Sequence, residues 1–339
     1  MAETLTETAR HFLDGAGWGG ALHELLRGDA SARRYLRLTR PDSGDTAILM
    51  VCPPGSASEM ARFAQVGAHL RAVGLSAPDI LAEAMSDGLM LLEDFGDASM
   101  AAFVDNAPEA EQAIYLSATK IVHYLHAVPP MEGLHPYGPA QMAPLVDLAF
   151  TDYAAATGKG DPGALPAIEA LLRSALQTLA PDTDVMILRD YHAENLMVLP
   201  ERSGVRALGL LDFQDALSGH RAYDLVSLLE DARRDISEST RLACISWYVH
   251  ENALDPEAFE AALAVQGAQR NLRILGVFAR LARARGKPGY LDLMPRVWGH
   301  LQRDLDHPAL ADLRTAVLAA IPAPEADVME RLRQQCPAP

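Results

Sequence analysis

The chain has 339 residues, 49% of them hydrophobic, with 29 basic against 45 acidic side chains and a formal charge of −16. That length suits about two domains with cores of their own and excludes intrinsic disorder as the main state. A charge this negative argues against general binding to nucleic acid or to an anionic membrane, leaving room for a local basic patch that meets a phosphate. Three cysteines, Cys52, Cys244 and Cys336, lie far apart and match no metal-ligand spacing, which predicts a reduced compartment. Glu3, Glu7, Arg10 and Asp14 interrupt the apolar residues at the N-terminus, so no secretory signal is read there. No stretch approaches the roughly 18 uninterrupted apolar residues of a membrane span. The expectation is a soluble, cytoplasmic protein with no nucleic-acid or membrane partner. Lys120, Lys159 and Lys287 are the only lysines, so arginine supplies nearly all the positive charge.

In chain order, the first part reads as strands around one helix. The small residues Gly28 to Ser31 precede a strand at Tyr35–Leu38, and the turn residues Asp42 to Asp45 separate it from a second strand at Ala47–Val51. Glu59 to Val73 carries Met60, Phe63, Val66 and Leu70 at helical spacing, with Gly74 placed to end the helix. A third strand follows at Gly88–Leu92. After Glu93–Asp97 helical patterns dominate, most clearly over Ile114–Leu125, Ile168–Leu179, Tyr223–Leu229 and Asn271–Ala284. Val128–Pro139 and Thr157–Pro162 read as loops. The predicted division is a β-rich part at 1–95 and a mainly helical part at 96–339, with a short β-like segment at 185–213 inside the latter.

That segment carries the chemistry. Two apolar runs, Leu196–Leu199 and Ala207–Leu211, flank a Pro200–Arg206 turn and read as an antiparallel hairpin. The residue before the first strand and the residue after the second then lie side by side, on strands about 5 Å apart. Asn195 and Asp212 occupy those places, and Asp190 precedes Asn195 on the same loop. Two oxygen donors suit Mg²⁺, which takes few protein ligands beside water and phosphate oxygens. A third carboxylate can accept a proton from an attacking hydroxyl.

With these residues the chain resembles the aminoglycoside phosphotransferase and choline kinase group of protein-kinase-like enzymes. The resemblance implies an α+β, two-lobe fold with a small β-rich N-lobe and a larger, mainly helical C-lobe, with ATP and Mg²⁺ between them. Asp190 matches the catalytic-loop Asp, Asn195 the metal-binding Asn, and Asp212 the metal-binding Asp that opens the Asp-Phe-Gly segment of protein kinases; His192 fits the small-molecule branch. A closer resemblance links Gly28–Tyr35, Met50–Pro54, Leu91–Asp97, Arg189–His192, Asp212–Ala216, Tyr223–Leu228, Gln269–Arg280 and Gly286–Pro288 to the anomeric N-acetylmuramate/N-acetylglucosamine kinases of cell-wall recycling. An amino-sugar kinase is therefore expected; an aminoglycoside or other alcohol phosphotransferase and a nucleotide-sensing pseudokinase stay open as alternatives.

By resemblance, Gly28, Ala30 and Ser31 would meet the nucleotide phosphates, and the Glu93–Phe95 hinge would bind adenine through its backbone. The strand at Ala47–Val51 departs from the pattern: it has no lysine, and Met50 stands near the expected place. Either Arg33, Arg34 or Arg37 supplies that charge, or nucleotide binding is weak. The arginine reading is favoured because Asp190, Asn195 and Asp212 are all retained, and an arginine fork holds phosphate as an ammonium does. Glu59, at the start of the first helix, lacks the lysine it would pair with, so no role is assigned to it. Asp224 would brace the catalytic loop by accepting backbone hydrogen bonds. Gln214, Asp215, Tyr191, His192 and Glu194 are candidates for sugar recognition, and Arg270 for the lactyl carboxylate of muramate.

Overall fold

The computed structural model describes residues 5–26 and 32–337. By its internal contacts the chain forms two compact units, one of Met1–Pro108 with Glu194–Asp215 and one of Glu109–Ala193 with Ala216–Pro339.

The first unit opens with helix α1 (Glu7–Gly15), whose N-cap Thr6 accepts a hydrogen bond from the Ala9 N–H at 3.2 Å. Strands β1 (Leu22–Leu25), β2 (Arg34–Thr39) and β3 (Thr46–Val51) follow, then helix α2 (Ala57–Ala72), β4 (Ile80–Ala84), β5 (Leu89–Glu93) and helix α3 (Met100–Asn106). The five strands form one antiparallel sheet in the order β1-β2-β3-β5-β4. Side chains alternate across the pleat. One face carries Leu36, Leu38, Ala47, Leu49, Leu89 and Leu91 and packs on Ala9, Leu13 and Trp18 of the α1 segment. The alternate residues Tyr35, Arg37, Ile48, Met50, Met90 and Leu92 therefore share the other face. The periodicity predicts β2, β3, β5 and α2 close to their observed bounds; α1, β1 and β4 carry no comparable signal.

The second unit begins with helix α4 (Glu111–Ala127) and includes β6 (Pro136–Tyr137), the helix Leu165–Leu179 and β7 (Val185–Ile187). At Glu194 the chain returns to the first unit as the hairpin of β8 (Leu196–Val198) and β9 (Leu208–Leu210), paired Leu196 to Leu210 and Val198 to Leu208. It then re-enters the second unit with β10 (Leu217–Gly219), which lies between β6 and β7. The β-like segment is thus shared between two sheets, with Val185–Ile187 pairing to Leu217–Gly219 rather than joining the hairpin. Helices at Tyr223–Leu229, Glu238–Glu251, Pro256–Arg285 and Met294–Leu305 complete the main body. Among them the 30-residue Pro256–Arg285 helix is the central strut. Asp255 caps it by accepting from the Ala258 N–H at 2.8 Å, and Gly286, at φ +64°, ends it in the left-handed conformation glycine favours. Leu272, Leu275 and Ala279 are fully buried along it. Among the described residues no helix is long and apolar enough to cross a membrane.

Candidate active site

Asp190 stands on a tight loop of the second unit. The Asp190 N–H donates to the Leu188 carbonyl at 2.9 Å, and Arg189 between them has φ +71°. This is the strained γ-turn form, costly for a residue with a Cβ. Asp224 holds it: its buried carboxylate accepts from the Leu188 N–H at 2.7 Å and the Arg189 N–H at 2.9 Å. The Ser227 hydroxyl, one helical turn further on, donates to the Arg189 carbonyl at 2.9 Å. Burial pushes the Asp224 carboxyl up to about 7, against the lowering effect of those two N–H donors. Arg189 itself lies over the Tyr137 ring, 5.5 Å from its centroid.

Three further expected residues sit in this unit. Tyr191 is 2% exposed and donates its hydroxyl to the Ala118 carbonyl of α4 at 2.8 Å, so it anchors the loop into the core. His192 is buried, and burial lowers its pKa to about 4, which keeps the ring neutral near pH 7. Arg270 is also buried and donates to the Ser227 hydroxyl oxygen at 2.9 Å.

The first unit holds the remainder. The Leu211 N–H donates to the Asn195 carbonyl at 2.9 Å, which closes the hairpin and makes Asp212 the next residue along. Asp212 has φ +56°, a second non-glycine residue in the left-handed region, and its Oδ1 accepts from Gln214 Nε2 at 2.7 Å. Phe213, fully buried, stacks on Phe63 of α2 with centroids 4.9 Å apart. A Cβ on Gly67 would sit 3.3 Å from the same ring. Glu59, Phe63 and Gly67 recur every fourth residue, so one face of α2 backs the Asp212 segment and carries Glu59 at its start.

Arg33 meets Glu59 there, with Nη2 3.5 Å from Oε2. Burial works against the Arg33 charge, but Tyr35, Cys52 and Asp212 around it more than offset that and hold its pKa above the ordinary arginine value. Arg37 is engaged elsewhere. Its Nε and Nη2 grip Asp94 at 2.6 and 3.0 Å, and Nη1 pairs with Asp97, so it ties β2 to the segment after β5. Arg34 is exposed. At the end of β5 the Glu93 side chain pairs with Arg202 of the hairpin turn, and Arg202 lies over the Phe95 ring. Phe95 in turn lies so close to Gly209 that a Cβ there would come within 2.4 Å of it. Met50 is 1% exposed, opposite Tyr35 and Met90 in the sheet. A pocket of about 360 Å³ is lined by Arg33, Ser58, Glu59, Arg62, Gln214 and Asp215.

The carboxylate of Asp212 and the amide of Asn195 offer oxygen donors of the kind Mg²⁺ takes alongside phosphate and water. With only two such side chains, the pair forms no cluster of three acidic, His or Cys ligands, and none occurs among the described residues.

The profile of the phosphotransferase enzyme family matches residues 23–259. The chain belongs to that family. It is 36% identical over 345 aligned positions to the N-acetylmuramate/N-acetylglucosamine kinase of Caulobacter vibrioides, covering 89% of this chain and 93% of that protein. The protein of the same name from Pseudomonas aeruginosa is 31% identical, covering 90% of this chain and 91% of its own length. The crystal structure of aminoglycoside phosphotransferase APH(2″)-Ib bound to ADP superimposes with a TM-score of 0.60 over 92% of this chain and 99% of that one, at 13% identity. The fold is the α+β, protein-kinase-like fold that the resemblance implies.

In this phosphotransferase the expected residues divide between the units. Asp190, Tyr191, His192, Asp224 and Arg270 belong to one, and Arg33, Arg34, Met50, Glu93, Phe95, Glu194, Asn195, Asp212, Gln214 and Asp215 to the other. Gly28, Ala30 and Ser31 lie outside the described residues. Ser227 and the pairing of Glu59 with Arg33 have no counterpart in the sequence reading. Ser58 and Arg62, on the pocket wall, have none either. The helical spacing Glu59, Arg62, Phe63 would have placed all three on one side of α2.

Proposed function

We propose that the protein is an ATP-dependent kinase of amino sugars, transferring the γ-phosphate to the anomeric hydroxyl of N-acetylmuramate or N-acetylglucosamine. The acceptor comes from the two relatives that bear this name across nine-tenths of the chain. The phosphotransfer chemistry rests on one structural observation, the Arg33–Glu59 pair beside Asp212. On this reading the Arg33 guanidinium supplies the cation that β3 lacks, which supports an active enzyme over a pseudokinase.

On this reading residues 1–95 bind the nucleotide. The Gly28–Ser31 loop and Arg33 hold phosphate oxygens, with Arg34 at the strand entrance, and the Glu93–Phe95 backbone takes adenine next to the buried Met50. Asn195 and Asp212 would hold Mg²⁺, which when bound neutralises charge on the phosphates. Asp190 accepts the proton of the sugar hydroxyl as its oxygen attacks the γ-phosphorus. The new P–O bond forms while the bond from γ-phosphorus to the β,γ-bridging oxygen breaks, and ADP leaves with that electron pair. Gln214 orients Asp212, while Glu194, Asp215 and His192 are the side chains available to sugar hydroxyl or acetamido groups. The cytoplasm, where ATP is supplied, is the compartment that fits.

Incubation with Mg²⁺-ATP and a panel of acceptors tests this. Stoichiometric ADP release with N-acetylmuramate and N-acetylglucosamine is expected, with a 1-phosphate as product. Transfer to an aminoglycoside and to neither amino sugar would overturn the acceptor assignment.

A further inference from the structure

We propose that Arg270 is a positioning residue for phosphotransfer, acting through Ser227 on the peptide that carries Asp190, and not a ligand of the substrate's carboxylate; this rests on the kinase reading above.

A guanidinium has only donors, so at 2.9 Å from Ser227 Oγ it must use the hydroxyl oxygen as acceptor. The hydroxyl has one proton to place. A serine inside a helix ordinarily donates it back to the carbonyl four residues earlier, here Tyr223. In this helix the proton goes to the Arg189 carbonyl at 2.9 Å. Donation by a cation polarises the hydroxyl and strengthens its own bond onward. The Tyr223–Leu229 helix thus presents, three residues apart, a carboxylate that takes the Leu188 and Arg189 N–H groups and a hydroxyl that gives to the Arg189 carbonyl. Both peptide groups flanking the strained Arg189 are fixed, and Asp190 follows directly. Arg270 completes the cradle from 43 residues away, on the 30-residue Pro256–Arg285 helix.

Arg270 also faces the Asp224 charge. The groups around Asp224 are Asp190, which raises its pKa, and Arg270, which lowers it; Tyr191 and Tyr248 are the other titratable neighbours. Loss of the Arg270 charge should therefore raise the Asp224 pKa further and move the acid limb of activity to higher pH.

Ser227→Ala, which removes one oxygen, and Arg270→Gln, which keeps a donor without charge, are the test variants. Both should lower kcat about tenfold, within the range expected for a slightly misplaced catalytic group. The loss should be equal for N-acetylmuramate and N-acetylglucosamine, with KM for ATP unchanged. Hydrogen exchange at the Leu188 and Arg189 amides should accelerate in both, while exchange in α4 stays as in wild type. Only Arg270→Gln should shift the acid limb upward. A raised KM for N-acetylmuramate alone, the only one of the two sugars with a carboxylate, would overturn the proposal in favour of a substrate contact. Unaltered exchange at Leu188 and Arg189 in both variants would also overturn it. If wild-type protein phosphorylates neither sugar, the kinase reading fails while the exchange measurement still decides whether Arg270 orders the loop.

Discussion

The proposed nucleotide site rests on Arg33 in place of the missing lysine. Three arginines were candidates, and their partners separate them: Arg37 is bound to Asp94 and Asp97 after β5, Arg34 is exposed, and Arg33 meets Glu59. Glu59 is largely exposed, so the pair adds little stability; what it does is aim the guanidinium. A charge-assisted hydrogen bond to phosphate is worth roughly 1.5–3 kcal/mol. Arg33→Ala should accordingly raise KM for ATP by about tenfold or more, and Glu59→Gln should raise it less. Steady-state kinetics at saturating sugar checks this, and an unchanged KM in Arg33→Ala would remove Arg33 from the nucleotide site. The hairpin that carries Asn195 and Asp212, with Asp190 ahead of it, was legible because all three lie within 23 residues of sequence. The Arg33–Glu59 pair was not, since it joins residues 26 apart whose meeting depends on how α2 lies on the sheet. The hydrogen bonds of Tyr191 to the Ala118 carbonyl and of Arg270 to the Ser227 hydroxyl were hidden for the same reason, since they join residues 73 and 43 apart.

Helix α2 packs against the segment that carries Asp212. Its Phe63 stacks on Phe213, the neighbour of Asp212, and Gly67 leaves room for that ring. Phe63 is 6% exposed, and a buried Phe→Ala change costs about 3–5 kcal/mol. Phe63→Ala should therefore lower the denaturant midpoint, and by loosening Asp212 it should lower kcat as well. Full kcat in a folded Phe63→Ala protein would show that the stack does not position the metal ligand. Apolar periodicity identified α2 and the strands that pack on both faces. It could not identify β4, whose Ala-Glu-Ala end has little β propensity, or β10, only three residues long, which pairs with both β6 and β7. Nor does any residue type announce the positive φ of Arg189 and Asp212; at Arg189 the bonds to Asp224 and Ser227 hold it.

At the scale of the molecule, buried histidines set the response to acid. Burial lowers His126 to about 3 and His192 and His220 to about 4, and it also lowers His69 and His300. His220 Nδ1 accepts from the Ala222 N–H, which requires the unprotonated ring. The unfolded chain takes up protons near pH 6.5 that these folded histidines refuse, so stability falls as pH drops from about 6.5 towards 4. Asp224, at about 7, and the buried Asp304, raised beside Glu230, act in the opposite sense, because the folded state binds their protons first. With five histidines against two carboxyls, the denaturant midpoint should be lower at pH 5 than at pH 7.5. A midpoint that holds or rises on acidification would contradict this balance. On the proposed function the net charge of −16 is no obstacle to an anionic substrate, since Arg33 would supply a cation locally. The most direct test of the central claim is ³¹P NMR of the product formed from Mg²⁺-ATP and N-acetylglucosamine by wild-type and Asp190→Asn protein. The account predicts a sugar 1-phosphate signal from the wild type and a rate lower by about 10²–10⁴ in the variant, the usual contribution of a general base. Phosphate on another hydroxyl, or equal rates from both proteins, would contradict it.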